Sequence, residues 1–442
     1  MGPLPDYPFG GAGSPLTLTP NFPFMPAAPE ILITGMGTVS PLGVGLGSFW
    51  TALDSGQSGV IERTEFAETD WPFRIAAPLQ GFDPKQLVKP RKALKVMCPP
   101  IQSGCAAANL AVEQAGITPE QLNPDRIATV FGTEVFISDP REIGNAFFKC
   151  LVDGKYEHSL WGTAGIAEIE PLWMLKYLPN MVASHISIAL DARGPSNSIC
   201  QGDASSLLSI IEAAELLNRG WADVALAGGT GSNLQHFTMI YRGKESYSHR
   251  IDSPQQASRP FDRDRDGMVA GEGAGAIVLE TAPHLTARNG SAQARLSGWA
   301  QGFCPPESTR FSTRIAEVCA AALARAGLRP QDLHQWNAHA TSQVQVDRWE
   351  AAAIGQFAPE VPVVALKHHF GHLGPGSGCV ELVGGILAMQ RNRLPGAINF
   401  KQPDPGTQLN ISSRTRDHAQ QHMLKLSFSP TGQIAAVVVS KV

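Results

Sequence analysis

A chain of 442 residues that is 43% hydrophobic has enough apolar matter for two or three domains and a large buried core, which excludes a disordered, collagenous or small disulfide-stapled protein. A net charge of −4 supplies no basic field that would gather nucleic acid or an anionic membrane, and leaves room only for a local basic patch facing an acidic carrier protein. Seven cysteines (Cys98, Cys105, Cys150, Cys200, Cys304, Cys319 and Cys379) without a CxxC pair indicate neither a disulfide framework nor a zinc ribbon, and fit a reducing cytoplasm.

Residues 1–29 are rich in Pro, Gly and Phe and show no basic n-region, apolar segment or cleavage pattern, so they predict an unstructured or surface-draped extension. No stretch approaches the roughly 18 to 20 apolar residues of a membrane span, and a soluble protein is expected. From Glu30 the pattern changes. Ile31 to Gly37 reads as a buried strand, and Ser48 to Leu53 begins a helix. Further buried strands are expected at Ile127 to Phe131, Val224 to Ala227 and Ala274 to Leu279, with helices at Ile101 to Gln114, Ser205 to Asn218 and Thr313 to Ala326. Continuous apolar runs of this kind belong to sheets covered by helices on both faces. A polar stretch from Ala282 to Ser291 separates two halves, 30–290 and 291–442. The segments Ser196 to Leu217 and Val363 to Met389 each read as strand, Gly-containing turn and apolar helix, so the second half repeats the plan of the first. Identity between the halves is too weak to establish a repeat by itself.

The most informative stretch is Gly194-Pro195-Ser196 followed by Cys200-Gln201-Gly202-Asp203-Ala204-Ser205-Ser206. Other blocks follow the same order and spacing as a known pattern. They are Thr34-Gly35-Met36-Gly37 with Ser40-Pro41-Leu42-Gly43, and Arg259-Pro260-Phe261-Asp262 with Gly271-Glu272-Gly273-Ala274-Gly275. Next come Asn337-Ala338-His339-Ala340-Thr341-Ser342 with Asp347 and Glu350, and Lys367 with Gly371-His372-Leu373-Gly374 and Glu381. Together they resemble the β-ketoacyl-acyl-carrier-protein synthases over Glu30 to Val442. The resemblance implies an α/β thiolase fold, two duplicated halves in an α-β-α-β-α five-layer arrangement. It also implies a homodimer or a heterodimer with a Cys-bearing ketosynthase, and an acyl carrier protein loaded with acyl or malonyl thioester as partner. No cofactor or metal is implied.

In that family the nucleophilic Cys follows the Gly of Gly-Pro-Ser by nine residues, and here that register falls on Asp203, with Cys200 three residues early. An acylated carboxylate would be a mixed anhydride that water destroys, so a standard acyl-enzyme is not expected. His339 and His372 match the family's two catalytic histidines, which donate hydrogen bonds to the thioester oxygen during malonyl decarboxylation. Lys367 joins them in the expected catalytic set with Asp203, and Glu272, Asp347, Glu381 and Thr341 are expected in supporting roles. A Glu between glycines needs a cation, and Lys367 is the expected partner of Glu272. The glycines around it are expected to serve close packing. Asp203 also precedes a helix start and reads as an N-cap, ionised at neutral pH. His368 and His369 lack the carboxylate or thiol spacing of a zinc site. The family's gating Phe falls on Pro430, which has no ring to swing. Trp50, Trp173 and Met389 belong either to the core or to an acyl pocket. Two functions stay open. One is a carrier-dependent enzyme of fatty acid or polyketide-type biosynthesis acting by decarboxylation or with Asp203 as base, toward which the retained histidines lean. The other is a noncatalytic subunit resembling a chain-length factor.

Overall fold

The computed structural model describes residues 29–64, 72–405 and 407–442, so nearly all of the expected N-terminal extension lies outside the described residues. The predicted strands and helices form, and most run past their predicted ends. The first half contributes strands β1 (Ile31–Ser40), β2 (Ile127–Gly132), β3 (Ser196–Ile199), β4 (Val224–Ser232) and β5 (Ala270–Thr281), hydrogen-bonded in the order β1-β5-β4-β2-β3. The second contributes β6 (Ala294–Phe303), β7 (Gln335–Asn337), β8 (Pro362–Val364), β9 (His422–Phe428) and β10 (Gln433–Ser440), in the order β6-β10-β9-β7-β8. The two orders are identical. The duplication that residue identity left undecided is therefore present in the topology, and the halves join where β1 meets β6 at Leu32–Arg295 and Ile33–Ala294.

Helices make the remaining layers. On the outer face of the first half lie α1 (Pro99–Ala115) and α2 (Met181–Leu190); between the halves lie α3 (Ser205–Asn218) and α7 (Ser377–Arg391). The chain also forms α4 (His236–Arg242), while α5 (Phe311–Arg325) and α6 (Val344–Phe357) cover the second half. A helix packed on both sides is apolar all round, and α7 accordingly buries every residue from Ser377 to Met389. Met389 is core, and Trp50 packs against the same core beneath the Arg391 guanidinium. Trp173 stands apart, against Tyr177.

The glycine-rich ends of β4 and β5 did not read as strand because glycine is poor strand material. Tertiary packing overrides that preference: a Cβ on Gly229 would lie 2.6 Å from the carbonyl oxygen of Pro375, and one on Gly275 would lie 2.8 Å from the amide of Val380. These close approaches bring the backbone of 371–380 onto the strand ends, which is how His372 reaches the turn that carries Asp203. The expected packing role of the Gly271-to-Gly275 run is borne out.

Candidate active site

Gly202 takes a left-handed φ of +58° in a short turn between β3 and α3, and this turn carries Asp203 inward. A side chain on Gly202 would strike Ser429 at 2.7 Å, so the tip joining β9 to β10 closes over the turn. Pro430 lies at the outside of that tip, exposed. Cys200 is exposed, whereas the Asp203 carboxylate is buried.

The expected capping role of Asp203 is not what the structure contains. Helix α3 starts without a side-chain cap, and Ser205 Oγ instead takes the amide of Gln201 at 2.8 Å. The carboxylate of Asp203, 2% exposed, turns away from the helix amides to two other partners. Oδ1 accepts from Arg242, the last residue of α4, at 3.1 Å. Oδ2 stands 3.2 Å from His372 Nε2, an ion-pair distance with poor hydrogen-bond alignment. Burial pushes the carboxyl pKa up, but His372 and Arg242 outweigh it and hold the group well below the usual aspartate value. Asp203 is ionised, as expected, although buried.

His372 sits after Gly371, whose φ of +66° lets the chain pass Val269. The amide of Gly374 donates to His372 Nδ1 at 2.9 Å, and a backbone amide has no alternative orientation. Nδ1 is thus an acceptor, and the proton of the neutral ring is on Nε2, the nitrogen nearer Asp203. Burial keeps the ring neutral by lowering its pKa more than Asp203 raises it. Asn233 adds two donations, to Nδ1 at 3.0 Å and to the His372 carbonyl at 2.9 Å.

His339 lies with its ring perpendicular to that of His372, centroids 6.2 Å apart, and 4.3 Å from the Phe428 ring. Neither of its buried ring nitrogens has a hydrogen-bond partner. Burial, with the Lys367 charge second, drives its pKa well below the histidine value. Its main chain is held by Glu350, which accepts from the amides of His339 and Ala340 at 3.0 and 2.7 Å and from Trp336 Nε1 at 2.8 Å. Asp347 accepts from the amides of Thr341 and Phe261 at 2.7 and 2.8 Å. Glu350 and Asp347 shape the His339 turn, and Thr341 belongs to that turn.

The expected pair of Glu272 with Lys367 does not form. Glu272 accepts from the amide of Leu79 and the hydroxyl of Ser232, each at 3.2 Å, because β5 carries it to the other side of the strand ends. Burial raises its pKa. Lys367 instead donates to Glu381 at 2.6 Å and to the carbonyl of His339. Lys425, which the sequence reading missed, holds the second Glu381 oxygen at 2.6 Å and the carbonyl of Ala338 at 2.9 Å. Its pKa is lowered to about 8 by burial. Glu381, Lys367 and Lys425 are all 1% exposed or less, and they fix the backbone that carries His339. His368 and His369 bond backbone carbonyls through Nε2 at 3.0 and 2.9 Å and face away from the site.

Three further residues escaped the sequence reading: Arg242, Asn233 and Glu134. Glu134 takes the amide of Ser232 at 2.8 Å, and burial pushes its carboxyl up to about 7 despite the opposing pull of Arg242. No motif signals these residues, since each reaches the site from an element distant in sequence. Beside the site, a cavity of about 580 Å³ is lined by Met97, Pro100, Ile137, Tyr177, Leu234 and Glu272 among others.

Asp203, His339 and His372 bring potential metal-ligand atoms within 4.8 Å of one another. The donor set does not suit an ion. His372 Nε2 carries the ring proton, because Gly374 occupies Nδ1, and Arg242 already holds Asp203. What the group offers is a neutral imidazole free to donate, a second imidazole beside a carboxylate, and that carboxylate bonded to a guanidinium.

Known proteins place this geometry in a lineage. Residues 28–284 match the family model described as Beta-ketoacyl synthase, N-terminal domain, and residues 302–401 match Beta-ketoacyl synthase, C-terminal domain. The 3-oxoacyl-[acyl-carrier-protein] synthase 2 of Coxiella burnetii is 31% identical over 93% of this chain and 99% of its own length. The tetracenomycin polyketide synthase ketoacyl synthase alpha subunit of Streptomyces glaucescens is 29% identical over 94% of this chain and 98% of its own. Among solved structures, a Beta-ketoacyl synthase from Burkholderia phymatum STM815 superposes with a TM-score of 0.84 at 26% identity, covering 94% of this chain and all of that one. The ishigamide ketosynthase/chain length factor shares the fold at a TM-score of 0.82 and 22% identity, over 94% of this chain and 100% of its own.

Proposed function

This chain belongs to the β-ketoacyl synthase family, and from that premise we propose that it is a noncatalytic partner subunit. It pairs with a Cys-bearing ketosynthase that elongates chains on an acyl carrier protein in fatty acid or polyketide-type biosynthesis. One observation carries the reading. At the nucleophile position stands a buried carboxylate whose two oxygens face Arg242 and His372 at 3.1 and 3.2 Å. A carboxylate held far below its ordinary pKa is a weak base and a poor nucleophile, and its thioester exchange product would hydrolyse.

The surface supports a partner. Strand β3 ends the sheet with an exposed edge, and Ile188 on the adjacent helix α2 is 70% exposed. Open strand edges and bare apolar side chains favour pairing with another chain. The fold is shared with the ishigamide ketosynthase/chain length factor, a name that pairs a ketosynthase with such a subunit.

A second reading keeps one supporting feature. His339 has two unpaired, buried nitrogens and stays neutral, so it retains the donor that an enolate oxygen would need in malonyl decarboxylation. The other imidazole, His372, has its Nε2 3.2 Å from the Asp203 carboxylate, whose negative charge would oppose an enolate beside it. Co-expression with a Cys-bearing ketosynthase of the same organism tests both readings. The partner reading expects a stable complex whose condensation needs both chains, and no carbon dioxide from malonyl-carrier with this chain alone. Carbon dioxide release by the isolated chain that disappears in His339→Ala would establish the second reading and sink the first.

A further inference from the structure

Arg242 does more than neutralise a charge. Its backbone is fixed at the end of α4, where Gly243 turns the chain at a φ of +78° and Ser246 Oγ donates to the Arg242 carbonyl at 2.7 Å. From there its side chain, 19% exposed, runs from the surface to a carboxylate that is 2% exposed. Glu134 lies near enough to act on the guanidinium as a second carboxylate, and the buried hydroxyl of Tyr247 has no hydrogen-bond partner. The neighbouring cavity reaches Ser232, Leu234 and Phe237 of the segment leading into and through α4, but Asp203, His339 and His372 are not among its walls.

We propose that Arg242 is a built-in plug: its side chain fills the approach to position 203, so that the site of this subunit is closed to a thioester by bulk as well as by the loss of the thiol. This rests on reading Asp203 as a position that is never acylated. The Asp203–Arg242 contact then has a definite role, because the acid that replaces the nucleophile also anchors the cation that shuts the entrance. A long flexible cation on a surface helix would otherwise lose more rotamer entropy in one pose than an exposed pair returns. Here the buried carboxylate sets the pose.

The test introduces a reporter thiol by Asp203→Cys in a full-length Cys200→Ser background and reads its alkylation by iodoacetamide with peptide mapping. The positive charge of Arg242 lowers the pKa of a nearby thiol and so speeds the reaction at neutral pH. Access is therefore read from the pH-independent plateau at alkaline pH, where the thiol is fully ionised. Adding Arg242→Ala should raise that plateau at least tenfold. Arg242→Met, which keeps the length of the side chain and removes its charge, should leave the plateau close to that of the Arg242 protein. Both changes leave Glu134 without the Arg242 charge to the same extent, so the Met and Ala proteins are compared like for like, and thermal unfolding at the alkaline pH of the measurement confirms that all three proteins are folded. Equal plateaus with Arg, Met and Ala at 242 overturn the proposal, as does a Met plateau as high as that of Ala. Either result leaves the partner reading to its own co-expression test.

Discussion

The substitution Asp203→Asn separates the ion-paired acid of the structure from the helix cap that its sequence position suggests. An Asn keeps an acceptor for helix amides, so a cap would lose little, while Asp203→Ala would cost about 1 kcal/mol. In the structure the side chain binds no helix amide. It meets Arg242 at 3.1 Å and His372 at 3.2 Å. Removing one member of a fully buried ion pair costs about 3–5 kcal/mol. Arg242 is 19% exposed and also faces Glu134, so solvent and a second carboxylate soften the loss. About 2 kcal/mol is expected for Asn, and as much or slightly more for Ala. The pH dependence follows with a definite sign. The folded pKa of Asp203 is depressed, so its contribution is fully present above the unfolded value near 3.9 and is lost as pH falls through the lower folded value. Glu134 titrates at about 7, and above that its carboxylate offers Arg242 a substitute anion. The Asn penalty should therefore be larger at pH 5.5 than at pH 8. Urea denaturation at the two pH values measures both quantities. An Asn variant within about 0.5 kcal/mol of wild type, beside an Ala variant that loses about 1 kcal/mol, would refute the reasoning in favour of the cap.

Glu381→Gln strands two ammonium groups that each lie 2.6 Å from the carboxylate, and should lower stability by about 3–5 kcal/mol at pH 7 by chemical denaturation. Because Lys425 titrates in the fold at about 8, below its unfolded value, stability gains as pH rises through that window, and the Gln penalty should be smaller at pH 9. Gly35→Ala places a Cβ 2.0 Å from the carbonyl oxygen of Ala111 and should push α1 off β1 at a cost of about 1–3 kcal/mol, seen as a lowered Tm. Gly47→Ala, with nothing within 4 Å of the new Cβ in a helix, should leave the Tm unchanged or slightly higher and serves as the control.

Local pattern was enough to read the strand and helix frame and the expectation of duplicated halves, while the family resemblance pointed to His339, His372, Lys367 and Asp203. Apolar runs report burial whatever lies beyond them, and a turn that needs glycine announces itself in any sequence. That the turn carries an acid at position 203, with Cys200 three residues earlier, needs no coordinates. Partners across the fold were not legible. Glu272 and Lys367 looked complementary, yet β5 delivers Glu272 to Ser232 while Glu381 and Lys425 converge on Lys367 from α7 and β9. Asp203 carries the residue type and position of a cap, and only the approach of Arg242 from α4 and His372 from beyond β8 turns it into the centre of an ion-paired cluster. A charged side chain takes the strongest partner that packing brings within about 3 Å, and the choice among distant segments is made by strand order and helix stacking. Sequence thus decided that this turn carries a carboxylate; tertiary structure alone decided what that carboxylate holds.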